Sequence, residues 1–311
     1  LLSFFFLTLF TDVQAQLCQG PGRDPQTAQA VCGTIAFHET NVVNCTGPDI
    51  PNPTSGCGQV TSDNSRWYKF HCYQAGTLGF LITPFSPADD YDWEIMDITG
   101  HQPADVYTLE LRVSLNLSGQ TGPTGCTIAG ISDINCGGGA PGTQYNKLMT
   151  LQAGHDYLMM VNNWSASNLG YDIDFTGTAT LSDNLPPTVT NAAIVGCDAS
   201  KIRVNFSEDI LCGSITNPIT LGSEFTITGG ANTITGITSA CTLGANGVPY
   251  VILDLQAPLA AGNYQLNINV GGDGNTLENV CRIAMLPASI PFTVPAIVPA
   301  AVSTVNYTGC A

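Results

Sequence analysis

Charge is what this sequence has least of. Asp, Glu, Lys and Arg together make up 10% of its 311 residues, against roughly 25% in an ordinary soluble domain. Basic residues are scarcest: 8 Lys and Arg stand against 24 Asp and Glu, for a formal net charge of −16. Affinity for nucleic acid comes mainly from Lys and Arg neutralising phosphates, so nucleic acid is set aside as a partner. Divalent cations, by contrast, are drawn to such a surface. Helical patterning is missing too, since no long stretch repeats its apolar residues every 3.6 positions. The opening run LLSFFFLTLF is too short to span a bilayer, and no stable membrane span is expected.

The signatures of catalysis are equally scarce. There is no Gly-x-Ser-x-Gly elbow of a serine hydrolase, no Cys-x-x-Cys pair, and no Gly-rich phosphate loop between a strand and a helix. His38-Glu39 begins like a zinc-protease helix, but the place of the second His is taken by Val42. His38, His71, His101 and His155 therefore read as structural. Glycoside hydrolysis needs two carboxylates facing each other across a cleft, which neighbours on one strand face do not offer. The reading is that of a protein that is no enzyme.

What is present is strand, turn and cysteine. TLGFLITP, YLMMVNNW, KIRVNFSE, YVILDLQ and YQLNINV lie between Gly, Pro and Asn turns, and Tyr171 to Leu181 alternates apolar with polar residues. The expected class is all-β, built of sandwiches. A Pro-marked linker, SDNLPPTVT (Ser182 to Thr190), separates residues 16–183 from residues 184–296. The second piece has the length and strand count of an immunoglobulin-like sandwich. PPTVTNAAIVGCDA (Pro186 to Ala199) is echoed by PAAVSTVNYTGCA (Pro299 to Ala311), with Cys310 falling 113 residues after Cys197. Residues 297–311 are thus expected to be a linker and the first strand of a following repeat. Residues 1–15, ending in Val13-Gln14-Ala15, have the apolar core and small-residue cleavage site of a secretory signal. Twelve cysteines in an exported chain imply disulfides. In the second sandwich the expected pairs are Cys212–Cys281 and Cys197–Cys241. Cys18–Cys32, Cys45–Cys57 and Cys126–Cys136 are plausible local loops.

The charge that does occur is concentrated. PADDYDWEIMDITG (Pro87 to Gly100) carries five carboxylates in nine positions. On a strand, Asp90, Asp92 and Glu94 share one face and Tyr91, Trp93 and Ile95 the other. Two readings stay open: a solvated face, or a Ca²⁺ site formed by Asp89, Asp90 and Asp92, whose hard oxygens suit that ion. An EF-hand is excluded, because Ile95 occupies the position of its obligatory Gly. Trp67 and Trp93 read as core residues. Trp164, in VNNWSASN, is the aromatic placed best to face a ligand.

These same stretches carry a resemblance. SRWYKFHCYQAGTLGFLITPFSPADDYDWEIMDITGH and LQAGHDYLMMVNNWSASNLGYDIDFTGTA resemble the N-terminal jelly-roll module of very large surface proteins of gliding Bacteroidetes-type bacteria. That module is similar to the pre-peptidase C-terminal-like sandwich. KIRVNFSEDILCGSI and LAAGNYQLNINVGGDGNTLENVC resemble the bacterial Ig-like repeats that follow it. The resemblance spans about residues 17–294. It implies export by type IX secretion, a role in adhesion, gliding motility or multi-repeat surface assembly, and no catalytic residues. Expected partners are other copies of the chain, other surface components or glycans. The alternative readings are a carbohydrate-binding module and the accessory region of an exported hydrolase.

Overall fold

The computed structural model describes residues 17–296, except 34–35, 52–56, 58–59, 138–142, 183, 197, 216–222, 231 and 244–245. The expected signal segment, the expected repeat at 297–311 and Cys197 lie outside the described residues. Strand accounts for about 48% of the structure and helix for about 6%. Among the described residues no helix is long and apolar enough to cross a membrane.

Eight strands build the first sandwich: β1 (Ala36–Glu39), β2 (Ser65–His71), β3 (Gly76–Pro84), β4 (Tyr91–Asp97), β5 (Arg112–Asn116), β6 (Thr124–Thr127), β7 (Asp156–Asn163) and β8 (Tyr171–Gly177). They form two antiparallel sheets, β2-β7-β4-β5 and β1-β8-β3-β6, extended at their edges by shorter strands. Consecutive strands from β2 to β4 and from β6 to β8 change sheet, which is the double Greek-key winding of a jelly roll. The alternation in β8 sets one face inward: Tyr171, Ile173 and Phe175 are buried while Asp174 and Thr176 are exposed. They meet Phe80, Ile82, Trp93 and Met159 between the sheets. Where β8 begins, a Cβ on Gly170 would lie 1.6 Å from the Glu39 carbonyl oxygen, so the chain passes β1 there only as glycine.

Seven strands build the second sandwich: β9 (Val189–Val195), β10 (Lys201–Leu211), β11 (Phe225–Thr228), β12 (Ile234–Thr238), β13 (Gly247–Leu255), β14 (Gly262–Ile268) and β15 (Ala288–Val294). Their sheets are β9-β10-β13-β12 and β11-β14-β15. The first, second, fifth and fourth strands thus face the third, sixth and seventh, the arrangement of a constant-type immunoglobulin domain. Ile202, Val204, Val251, Leu253 and Leu266 fill the space between.

Disulfide pairing departs from the sequence reading. The bridges among the described residues are Cys18–Cys45, Cys32–Cys281, Cys57–Cys136 and Cys212–Cys241. Cys212 opens a single helical turn at the end of β10 and meets Cys241 in the turn before β13, so the expected Cys212–Cys281 pair does not form. Cys281 instead reaches the jelly roll. Since Cys241 is taken by Cys212, the expected Cys197–Cys241 pair is overturned as well. The local loops fail for a similar reason. Cys126 sits inside the jelly-roll core on β6, 1% exposed, while Cys136 lies beside Cys57 on another face. Cys72 and Cys126 are buried free thiols. Four disulfides fit an oxidising compartment. Between the sandwiches, the Cys32–Cys281 bridge is accompanied by an ion pair of Lys69 with Asp209 and a cavity of about 460 Å³.

Candidate functional site

The acidic run is a central strand. β4 lies between β7 and β5, with Asp92 opposite Asn162, Trp93 opposite Val161 and Glu94 opposite Met160. Tyr91, Trp93 and Ile95 face the other sheet and are fully buried. Trp93 Nε1 donates to Thr124 Oγ1 at 3.0 Å, and the Tyr91 hydroxyl donates to the Leu169 carbonyl at 2.7 Å.

The opposite face is not wet, which corrects the solvated-face reading. Asp90 and Asp92 are each 8% exposed and Glu94 is 0% exposed. The paired short strands Asp49–Ile50 and Val60–Thr61, with the short 3₁₀ helix Pro103–Tyr107, roof this face. They bring Ile50, Val60 and Val106 down onto Trp67, Met96, Leu158 and Met160 as a second core. Under the roof Glu94 pairs with Arg112, Nε to Oε1 at 2.7 Å. Arg112 Nη2 also donates to the Pro51 carbonyl at 3.1 Å. Burial dominates and leaves the Glu94 carboxyl raised to about 7, even with Arg112 acting to lower it.

Where the roof ends, Asp90 and Asp92 open on a cleft of about 280 Å³, shared with Met160, Asn162, Leu117 and Trp164. Among the described residues no Lys, Arg or His lines it. Asp90 Oδ1, Asp92 Oδ1 and Asn162 Oδ1 are buried and accept no hydrogen bond. Asn162 Nδ2 donates to the Asp63 carbonyl, which fixes which end of the amide is oxygen. Burial raises Asp90 to about 6. Burial, then the neighbouring charge of Asp90, raises Asp92 to about 8.

Asp89 does not line this cleft. Its Oδ2 accepts from Ser167 Oγ at 2.6 Å. Among the described residues no three His, Cys, Asp or Glu side chains gather as a metal-binding group. The structure thus brings together Asp90 and Asp92 of the expected trio and adds Asn162 in place of Asp89.

Trp164 stands at the rim, 62% exposed. Its loop is held on several sides: Ser165 Oγ accepts from the Asp90 N–H at 2.8 Å, and Asn44 Nδ2 donates to the Ala166 carbonyl at 2.9 Å. Ala166 and Asn168 turn it tightly with φ of 50° and 63°. A large aromatic left in water on a well-tied loop is informative in a way that an exposed Leu is not.

The histidines take other roles. His38, His71 and His155 contact Asp172, Asp156 and Asp97 at 2.6–2.7 Å, and His101 lies 3.8 Å from Asp105. Sequence reasoning missed Asn162, Arg112 and Asn146. Asn146 is fully buried. Its Nδ2 donates to Ser114 Oγ, the Leu115 carbonyl and the Asp133 carbonyl, while its Oδ1 accepts from Asn116 and Asn135. For Asn162 a signal existed: VNNW ends an apolar strand with two amides, and both are buried.

Compared with protein-family models and with curated proteins, the chain matches none. Fold and cleft together define its class: two disulfide-stapled β-sandwiches, the first presenting an acceptor-lined cleft beside an exposed tryptophan.

Proposed function

We propose that this chain is a non-catalytic recognition region of an exported surface protein, serving adhesion or the assembly of surface layers, and that it takes its ligand in the Trp164 cleft. The observation that carries this reading is the juxtaposition of an exposed, loop-anchored Trp164 with buried oxygens that have no partner. Buried polar groups are normally satisfied; these three open on a cleft instead. The disulfides agree with export through the N-terminal signal, and the sequence resemblance agrees with type IX secretion and gliding-associated surfaces. A glycan is the ligand class the cleft favours, since carboxylates accept from sugar hydroxyls and an indole face packs on a pyranose ring.

The test is a glycan array, together with capture of isolated surface polysaccharide, comparing the chain with Trp164→Ala. Binding that drops roughly tenfold or more in the variant, about 1.4 kcal/mol, with the bound glycan recovered intact, supports the reading. Binding indifferent to Trp164, or a bound glycan that is cleaved, overturns it.

A further inference from the structure

A buried carboxylate is costly unless something pairs with it. Glu94 shows how this strand meets that cost, through Arg112. Two residues earlier the same face carries Asp92, then Asp90, and among the described residues no cationic side chain lines their cleft. The third unpartnered oxygen comes from the neighbouring strand, since Asn162 stands opposite Asp92 in the β4–β7 register. Asn162 is 2% exposed and its amide nitrogen is already engaged.

We propose that Asp90, Asp92 and Asn162 form a Ca²⁺ site at the base of the Trp164 cleft, tying β4 to β7. The proposal deepens the reading of the cleft as a binding site and rests on it. The donor chemistry selects the ion. All three groups offer hard oxygens, two of them from carboxyl groups, and among the described residues the cleft wall adds no imidazole. Its two cysteine sulfurs, Cys57 and Cys136, are bonded to each other, and the remaining sulfur among the described lining residues is the Met160 thioether, so zinc finds neither the thiolate nor the imidazole it prefers. Ca²⁺ takes roughly six to eight oxygens in irregular geometry, whereas Mg²⁺ demands a near-ideal octahedron and keeps its water. An open cleft with three protein donors suits the first, with water or ligand oxygens completing the shell.

The experiment uses the full disulfide-bonded chain, stripped with EDTA and titrated with CaCl₂, with MgCl₂ as control. Calorimetry should find one site, and the melting temperature should climb with free Ca²⁺ as mass action requires. Tb³⁺, a Ca²⁺ mimic, should luminesce on excitation of Trp164 and be displaced by Ca²⁺. Trp164→Phe should abolish that luminescence and leave the Ca²⁺-dependent rise in melting temperature. Asp90→Asn and Asp92→Asn should each weaken Ca²⁺ roughly tenfold or more. Neither substitution strands a new charge in the cleft, so both should fold at least as well as the parent in EDTA. Asn162→Asp, which adds a charge, should retain binding. Equal melting curves in Ca²⁺ and EDTA, an equal response to Mg²⁺, or unchanged affinity in both Asn variants would overturn the site; so would tight binding of methylammonium in place of Ca²⁺. If Ca²⁺ fails while Trp164-dependent glycan capture survives, the metal falls and the binding reading stands; the reverse result sinks the binding reading alone.

Discussion

Replacing Arg112 by Met should unfold the roofed face of the jelly roll more readily than any surface charge change in this chain. The Arg112 and Glu94 side chains are 4% and 0% exposed. Removing one member of such a pair strands the other charge in the interior, at a cost of about 3–5 kcal/mol. The Pro51 carbonyl loses its donor as well. With a urea slope of about 2 kcal/mol/M, a loss of about 4 kcal/mol moves the unfolding midpoint down by about 2 M. Tryptophan emission reads this directly, because Trp67, Trp93 and Trp164 all lie in the first sandwich and the second has none. The double substitution Glu94→Leu/Arg112→Met should recover most of the loss, ending within about 1 kcal/mol of the parent or above it. Glu94 and Arg112 would then be strongly coupled in a double-mutant cycle. If Arg112→Met alone costs less than about 1 kcal/mol, as exposed pairs do, the pair is solvated and the roof argument is wrong.

Two further outcomes follow from features described above. Cys32→Ser/Cys281→Ser opens a loop of 249 residues, for which chain entropy gives about 5 kcal/mol as an upper figure; tryptophan emission and far-UV circular dichroism, coincident in the parent, should separate into two transitions. Asn146→Asp should cost about 3 kcal/mol despite its near-identical shape, because two backbone carbonyls now served by Nδ2 would face a carboxylate; urea melts followed by tryptophan emission measure it.

Much of the architecture was legible because strand alternation is local. Tyr171, Ile173 and Phe175 declare their face in the sequence itself, and the two faces of β4 were separated correctly. What alternation cannot say is whether a polar face is covered. The cover over Glu94 is made of residues 49–50, 60–61 and 103–107, which are distant along the chain. One indirect sign was available: YLMMVNNW is apolar on both faces, and β4 pairs with that strand, so the sheet between them had to be buried on both sides. Disulfide partners were illegible for a related reason. Cys32 and Cys281 meet only because the two sandwiches dock, and no spacing rule encodes that. Of the candidate site, residue type alone points to Asp90, Asp92 and Trp164. Asn162 emerged only from cross-strand register, and Asp89 left the group because Ser167 engages it.

The Cys32–Cys281 bridge also determines how this chain carries tension. A pull applied on either side of the bridge passes from Cys32 through the sulfurs to Cys281, and fourteen of the fifteen long strands lie between those two residues. They are off the line of force. Of these long strands only β15 (Ala288–Val294), at the edge of its sheet against β14, lies outside the bridge; it meets the load directly, as does the two-residue strand Gln29–Ala30, paired with β2 ahead of Cys32. The 249 residues enclosed represent about 850 Å of extended chain, a length that stays hidden from the pull until the bridge is reduced. A region placed between a moving surface and its anchor would thus resist drag as a short covalent link, with its binding cleft kept out of the strained path.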